Sequence, residues 1–246
     1  EELYPDDDAA QAELKRRFPQ VIQRQDAEEQ GDVPPVNFGV PLRDICNGCG
    51  VDFIDKTTGR YYPKLPPTLI ILCEALERCD AAEHFQQLFD VDGTVIFGLL
   101  DRVDKGEPLP VDLDPALLWC CLKVWLDCLP SPLLSYKAID FLNDHGMKNG
   151  NIQKHRDSLV QLFTEKLPKD VAYVALYFSS CLHTLCKMAQ DRGNATLTPA
   201  SAAKAFAPAF LRPQVFSADF AKVLPAAEFL IRTLIEAAEE PELWIG

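Results

Sequence analysis

The chain has 246 residues, of which 48% are apolar and 25% charged, and its formal net charge at pH 7 is −13. This length and apolar content allow one sizeable buried core. The excess of carboxylates repels polyanions, which excludes nucleic acid and anionic membrane surfaces as the main ligand. No apolar run reaches the ~18 residues of a membrane-spanning helix, so we expect no direct membrane insertion.

The cysteines indicate a reduced, cytoplasmic setting. There are nine of them, an odd number, and most lie in apolar stretches, where a free thiol behaves as a small buried hydrophobe. A disulfide framework is typical of short secreted chains instead. Cys46 and Cys49 form a CxxC pair, but a structural zinc site needs a second pair of ligands and none follows at a recognisable spacing. We therefore predict no metal and no other cofactor.

The chain has two segments that differ in composition and in the spacing of apolar residues. Residues 1–37 are polar and acidic and begin with Glu1, and we expect a tail or an added helix, within a chain that is part of a longer protein. From Phe38 onward, apolar residues recur at helical spacing between short breakers. We therefore predict a polar N-terminal segment over residues 1–37 and one helical domain over residues 38–246.

Proline marks the start of the first predicted helices of this domain. Pro66 and Pro67 precede an apolar segment that continues to Leu76, and Pro115 opens a strongly apolar segment that ends before Pro130. Strand-like alternation bounded by hairpin turns is scarce. The predicted fold class is therefore all-α, a helical bundle with a single core.

Later helices carry capping signals as well. Asp170 is the candidate N-cap of a helix over residues 171–190, and Gly193 follows as a stop signal. Thr198 is the candidate N-cap of the next helix, with Pro199 at its first position. We expect a last helix to begin at Leu224 and Pro225.

Four segments in the same order resemble the Rho GTPase-activating domain. Residues 38–42 read FGVPL, the opening of that family, and residues 88–94 are similar to its loop that carries the catalytic arginine. Residues 122–134 are similar to its helix with a conserved lysine and the motif LPxPLL. Residues 194–213 match its later segment that ends in LRP. The resemblance covers residues 38–238 and implies the family's all-helical fold and a small GTPase of the Rho or Ras type as partner.

The resemblance also implies that the catalytic group is missing. In that family an arginine offsets the charge that develops on the transferring phosphoryl group, an effect on the order of 10³–10⁵ in rate. Asp90 occupies that position. An ionised aspartate donates no hydrogen bond, and at ~4 Å it repels a like charge by roughly 4 kcal/mol at an effective dielectric of about 20.

Other polar contact positions of the family have changed too. Lys123 is kept, the following arginine aligns with Asp127, and the asparagine aligns with Ser201. We therefore expect a non-catalytic interaction domain that docks a small GTPase or another protein. The contact candidates that the resemblance implies are Phe89, Asp90, Lys123, Asp127, Ser201 and Pro208.

Alternative interpretations stay open from the sequence. Asp90 can be an ordinary loop aspartate, Lys123 a surface lysine with a buried stem, and Ser201 a helix-surface serine. An active domain with a displaced arginine would use Arg78 or Arg102. A domain that meets no GTPase would be structural or would bind short peptides. The sequence leaves the oligomeric state and the nucleotide-state preference undetermined.

Overall fold

The computed structural model describes residues 38–79, 81–89, 93–104, 109, 113–144, 152–211 and 218–238. Within these ranges the α-helices are α1 (Leu42–Gly48), α2 (Pro67–Arg78), α3 (Gly93–Asp104), α4 (Pro115–Cys128), α5 (Tyr136–Asp144), α6 (Ile152–Gln161), α7 (Lys169–Asp191), α8 (Pro199–Leu211) and α9 (Ala218–Glu236). A 3₁₀ helix covers Ala81–Phe89, and a π-helical turn, Leu162–Lys166, follows α6. The strands β1 (Val51–Ile54) and β2 (Tyr61–Leu65) form an antiparallel hairpin. The described part is therefore a helical bundle with one small hairpin.

The core lies between α4, α7 and α8. Trp119 of α4, Phe178 of α7 and Phe206 of α8 are each fully buried. Phe178 packs edge-on against Phe206 with 5.0 Å between the ring centroids, and Trp119 lies 6.1 Å from Phe206. Trp125 is also fully buried. The prediction of a single-core helical bundle is confirmed, and both tryptophans of α4 belong to its core.

The predicted starts of three helices are correct, and α8 begins at Pro199 as expected. The helix α2 begins at Pro67, directly after Pro66, and α4 begins at Pro115 with Asp114 as its N-cap, since the Asp114 side chain accepts from the Ala116 N–H at 2.9 Å. Proline is tolerated there because the first N–H groups of a helix have no partner inside the helix.

Two other boundaries were predicted wrongly. The cap of α7 is Pro168, and Asp170 lies inside the first turn, where its negative charge is favourable near the positive end of the helix dipole. The helix α9 begins at Ala218, so Pro225 lies in its interior and does not start it. Buried residues on both sides of that proline, Val223 and Ala226, are covered by the bundle, and this packing outweighs the local preference of proline.

The hairpin was not predicted. Its strands have four and five residues, with a bulge between Val51 and Phe53. Phe53 and Tyr62 face each other across the strands and both contact the ring of Tyr177 on α7, at 5.2 and 5.5 Å between centroids. The hairpin is therefore packed against the bundle through one of its faces.

Candidate functional site

The segment that aligns with the family's arginine loop is flanked by the 3₁₀ helix and α3. Asp90 lies outside the described residues, and of Phe89 only the backbone is described, as the last residue of the 3₁₀ helix. The Trp119 Nε1–H donates a hydrogen bond of 2.7 Å to the Ala81 carbonyl, and the Phe85 ring packs edge-on against Trp119 at 5.1 Å. The helix that leads into this segment is thus fastened to α4.

The helix α4 carries two contact candidates one turn apart. Lys123 and Asp127 form an i, i+4 ion pair, with Lys123 22% exposed and Asp127 6% exposed. The Asp127 carboxylate is nearly buried and its charge is compensated by Lys123. The polar group that the family keeps is therefore held by a residue of its own helix.

Ser201 takes part in the cap of α8. Its Oγ accepts from the Thr198 N–H at 2.8 Å, while the Ser201 N–H donates to Thr198 Oγ1 at 3.1 Å. The Ser201 hydroxyl donates to the Thr196 carbonyl at 2.8 Å. This reciprocal pattern is a capping box in which a serine replaces the usual Glu or Gln. Thr198 is confirmed as the cap, and the Ser201 side chain is engaged inside the chain.

Pro208 lies in the interior of α8 and is half-buried. A proline in this position leaves the carbonyl of Lys204 without its helical donor. Phe206 and Phe210 on either side are fully buried and pack against Phe178. The helix is therefore anchored in the core around this proline.

The two alternative arginines lie away from the 90–92 segment along their helices. Arg102 is exposed on α3, nine residues after Gly93, which corresponds to roughly 13 Å along the axis at ~1.5 Å per residue. Arg78 is the exposed last residue of α2, and the whole 3₁₀ helix separates it from the segment. The interpretation in which Arg78 or Arg102 acts as a displaced arginine stays a hypothesis.

A surface cavity of about 610 Å³ lies where the end of α7, the start of α8 and the end of α9 meet. Its lining includes Lys187, Thr198 and Glu236, so residues of both charge signs border the cap that contains Ser201.

Among the described residues, no three His, Cys, Asp or Glu side chains cluster as metal ligands. No described helix is both long and apolar enough to cross a membrane.

One titratable group, Glu77 on α2, was not predicted from the sequence. Burial, together with the nearby carboxylates of Asp55 and Glu74, raises the pKa of Glu77 from 4.5 to about 7. Asp55 is itself buried and accepts a 2.9 Å hydrogen bond from the Ser180 hydroxyl of α7. These acidic groups connect the hairpin, α2 and α7.

Comparison with known proteins places this geometry among solved structures. No protein-family model matches the chain, and no curated protein matches it by sequence. The crystal structure of human Rho GTPase-activating protein 15 superimposes with a TM-score of 0.68 at 18% identity, over 89% of this chain and 97% of that one. The BH domain of GRAF, the GTPase regulator associated with focal adhesion kinase, gives a TM-score of 0.59 at 18% identity, over 71% of this chain and 92% of its own. The chain therefore has the fold of the Rho GTPase-activating domains.

Proposed function

We propose that this domain docks a small GTPase of the Rho or Ras type, or another protein, without accelerating GTP hydrolysis. The observation that carries the proposal is the Lys123–Asp127 ion pair on α4. In this pair Lys123, the one polar contact residue that the resemblance retains, is bonded to the carboxylate of Asp127. Asp127 occupies the position where the family has an arginine.

The residue at position 90 supports the absence of catalysis. Rate enhancement in this class of reaction depends on a cation that offsets charge on the transferring phosphoryl group. Asp90 has the charge of the phosphates themselves, so its approach to the nucleotide is unfavourable. At position 127 the second arginine of the family is also replaced, by a carboxylate that is paired with Lys123.

The retained framework supports docking. Trp119 and Phe85 fasten the 3₁₀ helix to α4, and Phe206 joins α8 to the same aromatic cluster. These contacts fix the helices that carry Lys123, Asp127 and Ser201 relative to one another. A surface with fixed helices loses little conformational freedom on binding.

Two measurements test the proposal. The first is single-turnover GTP hydrolysis by a panel of Rho- and Ras-type GTPases with the domain in excess, where we expect less than a ~10-fold change, far short of an arginine-finger effect. The second is binding to the same GTPases loaded with GDP or a non-hydrolysable GTP analogue. A larger rate increase would overturn the lack of catalysis. Absence of binding in both nucleotide states would overturn docking to a GTPase.

A charge-restoring variant makes the test sharper. We expect Asp90→Arg combined with Asp127→Arg to stimulate hydrolysis by a GTPase that binds the wild-type domain. The control is Asp140→Arg, which makes the same exchange at an exposed position of α5 and is expected to leave hydrolysis unchanged. Stimulation by both variants would indicate a general charge effect and would contradict the assignment of positions 90 and 127 to the contact face.

A further inference from the structure

The hairpin has one face on the bundle and one face in solvent. Its inner face consists of Phe53 and Tyr62, which pack against Tyr177, and its turn is fixed by the Asp55–Ser180 hydrogen bond. On the outer face, Ile54 and Tyr61 lie directly opposite each other and are 62% and 58% exposed. The hairpin is therefore rigidly held while a cross-strand apolar pair faces water.

Exposed apolar side chains are concentrated on this element. Val51, Ile54 and Tyr61 are three of the four large apolar side chains that are exposed among the described residues, and the fourth is Val95 on α3. Single exposed apolar residues are ordinary, but a contiguous exposed group is typical of an interaction surface. The hairpin carries such a group and Val95 does not, which makes Val95 a natural control.

The charge of the hairpin is opposite to that of the chain. Residues 51–65 contain three basic and two acidic residues, in a chain of net charge −13. Asp55 is buried, and the Asp52 carboxylate accepts a hydrogen bond from the Lys64 N–H. Lys56 and Lys64 are exposed. Since charges more than ~8 Å apart are screened at physiological ionic strength, a segment bound here meets mainly these local cations.

We propose that the outer face of the hairpin, defined by the Ile54–Tyr61 pair, docks an acidic segment of a partner protein that inserts apolar residues between its carboxylates. Apolar residues of the segment cover the Ile54–Tyr61 pair, and its carboxylates lie near Lys56 and Lys64. A second copy of the chain is a poor occupant because its hairpin has the same local excess of basic residues, and these would lie against Lys56 and Lys64. The bulge in β2 also hinders edge-to-edge pairing of two hairpins.

This surface is separate from the candidate GTPase face. The hairpin precedes the first residue of α2, whereas the 3₁₀ helix that leads to position 90 follows its last residue. The 12 residues of α2 span roughly 18 Å at ~1.5 Å per residue. Both surfaces can therefore be occupied at once, and the proposal does not depend on GTPase binding.

Selection from a random 12-residue peptide library displayed on phage, with the 246-residue chain immobilised, tests the proposal. We expect the enriched peptides to be acidic and to contain aliphatic or aromatic residues. Synthetic copies of the enriched peptides are then measured by fluorescence anisotropy. We expect Ile54→Ser to weaken binding at least ~10-fold, the loss that corresponds to ~1.4 kcal/mol, and Val95→Ser to leave it unchanged.

The charge contribution is measured with a second pair of variants. We expect Lys56→Glu to weaken peptide binding several-fold, and Lys137→Glu, at an exposed position of α5, to have no effect. Enrichment of peptides without an acidic bias, failure to enrich any peptide, or equal binding to Ile54→Ser and Val95→Ser would overturn the proposal. So would sedimentation equilibrium showing a dimer that Ile54→Ser converts to a monomer, because the occupant would then be a second copy.

Discussion

The two partners of the Lys123–Asp127 ion pair should contribute unequally to stability. Asp127 is 6% exposed and Lys123 22% exposed. Removing Lys123 leaves a nearly buried carboxylate without its lysine, whereas removing Asp127 leaves an amine whose flexible stem can carry it to water. A buried charge that loses its partner costs about 3–5 kcal/mol. Because Lys123 retains some exposure, we expect ~2–3 kcal/mol for Lys123→Ala and ~1 kcal/mol for Asp127→Ala.

Urea unfolding at pH 7, followed by tryptophan fluorescence, measures both values. Another i, i+4 ion pair, Arg232 with Glu236, is the control, since its side chains are 55% and 34% exposed. For Arg232→Ala we expect a loss of only ~0.3–0.5 kcal/mol, which 1 M NaCl should abolish. Equal losses for Lys123→Ala and Asp127→Ala, or losses as small as in the control, would refute the conclusion that Asp127 is held in a buried pair.

Three further predictions concern other contacts. Ser201→Ala should lower the free energy of unfolding by ~1 kcal/mol through loss of the reciprocal cap, measured by urea unfolding; no loss would show that Ser201 is only a surface serine. Trp119→Phe should cost ~2 kcal/mol by the same measurement, because the buried Ala81 carbonyl loses its donor; a change below ~0.5 kcal/mol would contradict this. The pKa of Glu77 is higher in the folded chain, at about 7, than its ordinary 4.5, so the protonated folded state is favoured at low pH and stability falls as pH rises from about 4.5 through 7. Measured as melting temperature against pH, this fall should be smaller for Glu77→Gln and unchanged for Glu83→Gln at an exposed site. Parallel pH profiles for wild type and Glu77→Gln would refute the conclusion that Glu77 titrates with a raised pKa.

The helical scaffold was predictable because its signals are local. Proline before an apolar run located the starts of α2 and α4, and Thr198 with Pro199 located α8, since caps depend on residues within one turn. Pro225 misled the prediction of α9, because the burial of Val223 and Ala226 depends on helices far away in sequence. Tertiary packing of this kind leaves no mark in a window of neighbouring residues.

The hairpin and the bonding partners of the contact residues could not be predicted from the sequence. The strand β1 has only four residues, the bulge in β2 interrupts its alternation, and Pro63 in β2 is unusual for a strand. The spacing of Lys123 and Asp127 allowed an ion pair on a helix, but the burial of Asp127 follows from packing across the bundle. The resemblance identified which positions had changed, whereas the structure showed that Asp127 and Ser201 are bonded within the chain.

The hydrogen bonds and the ion pair of these polar residues explain how the fold can be retained when the residues of the contact face change. Trp119 and Phe206 are fully buried, and truncating such a residue costs about 3–5 kcal/mol, so the framework is constrained by stability alone. Asp127 and Ser201, by contrast, each have a partner inside the chain, Lys123 and Thr198. They are parts of the present fold, stabilised where they are. A single Asp90→Arg exchange would therefore leave Lys123 bonded to Asp127, and we expect it to restore less hydrolysis than the double exchange at positions 90 and 127.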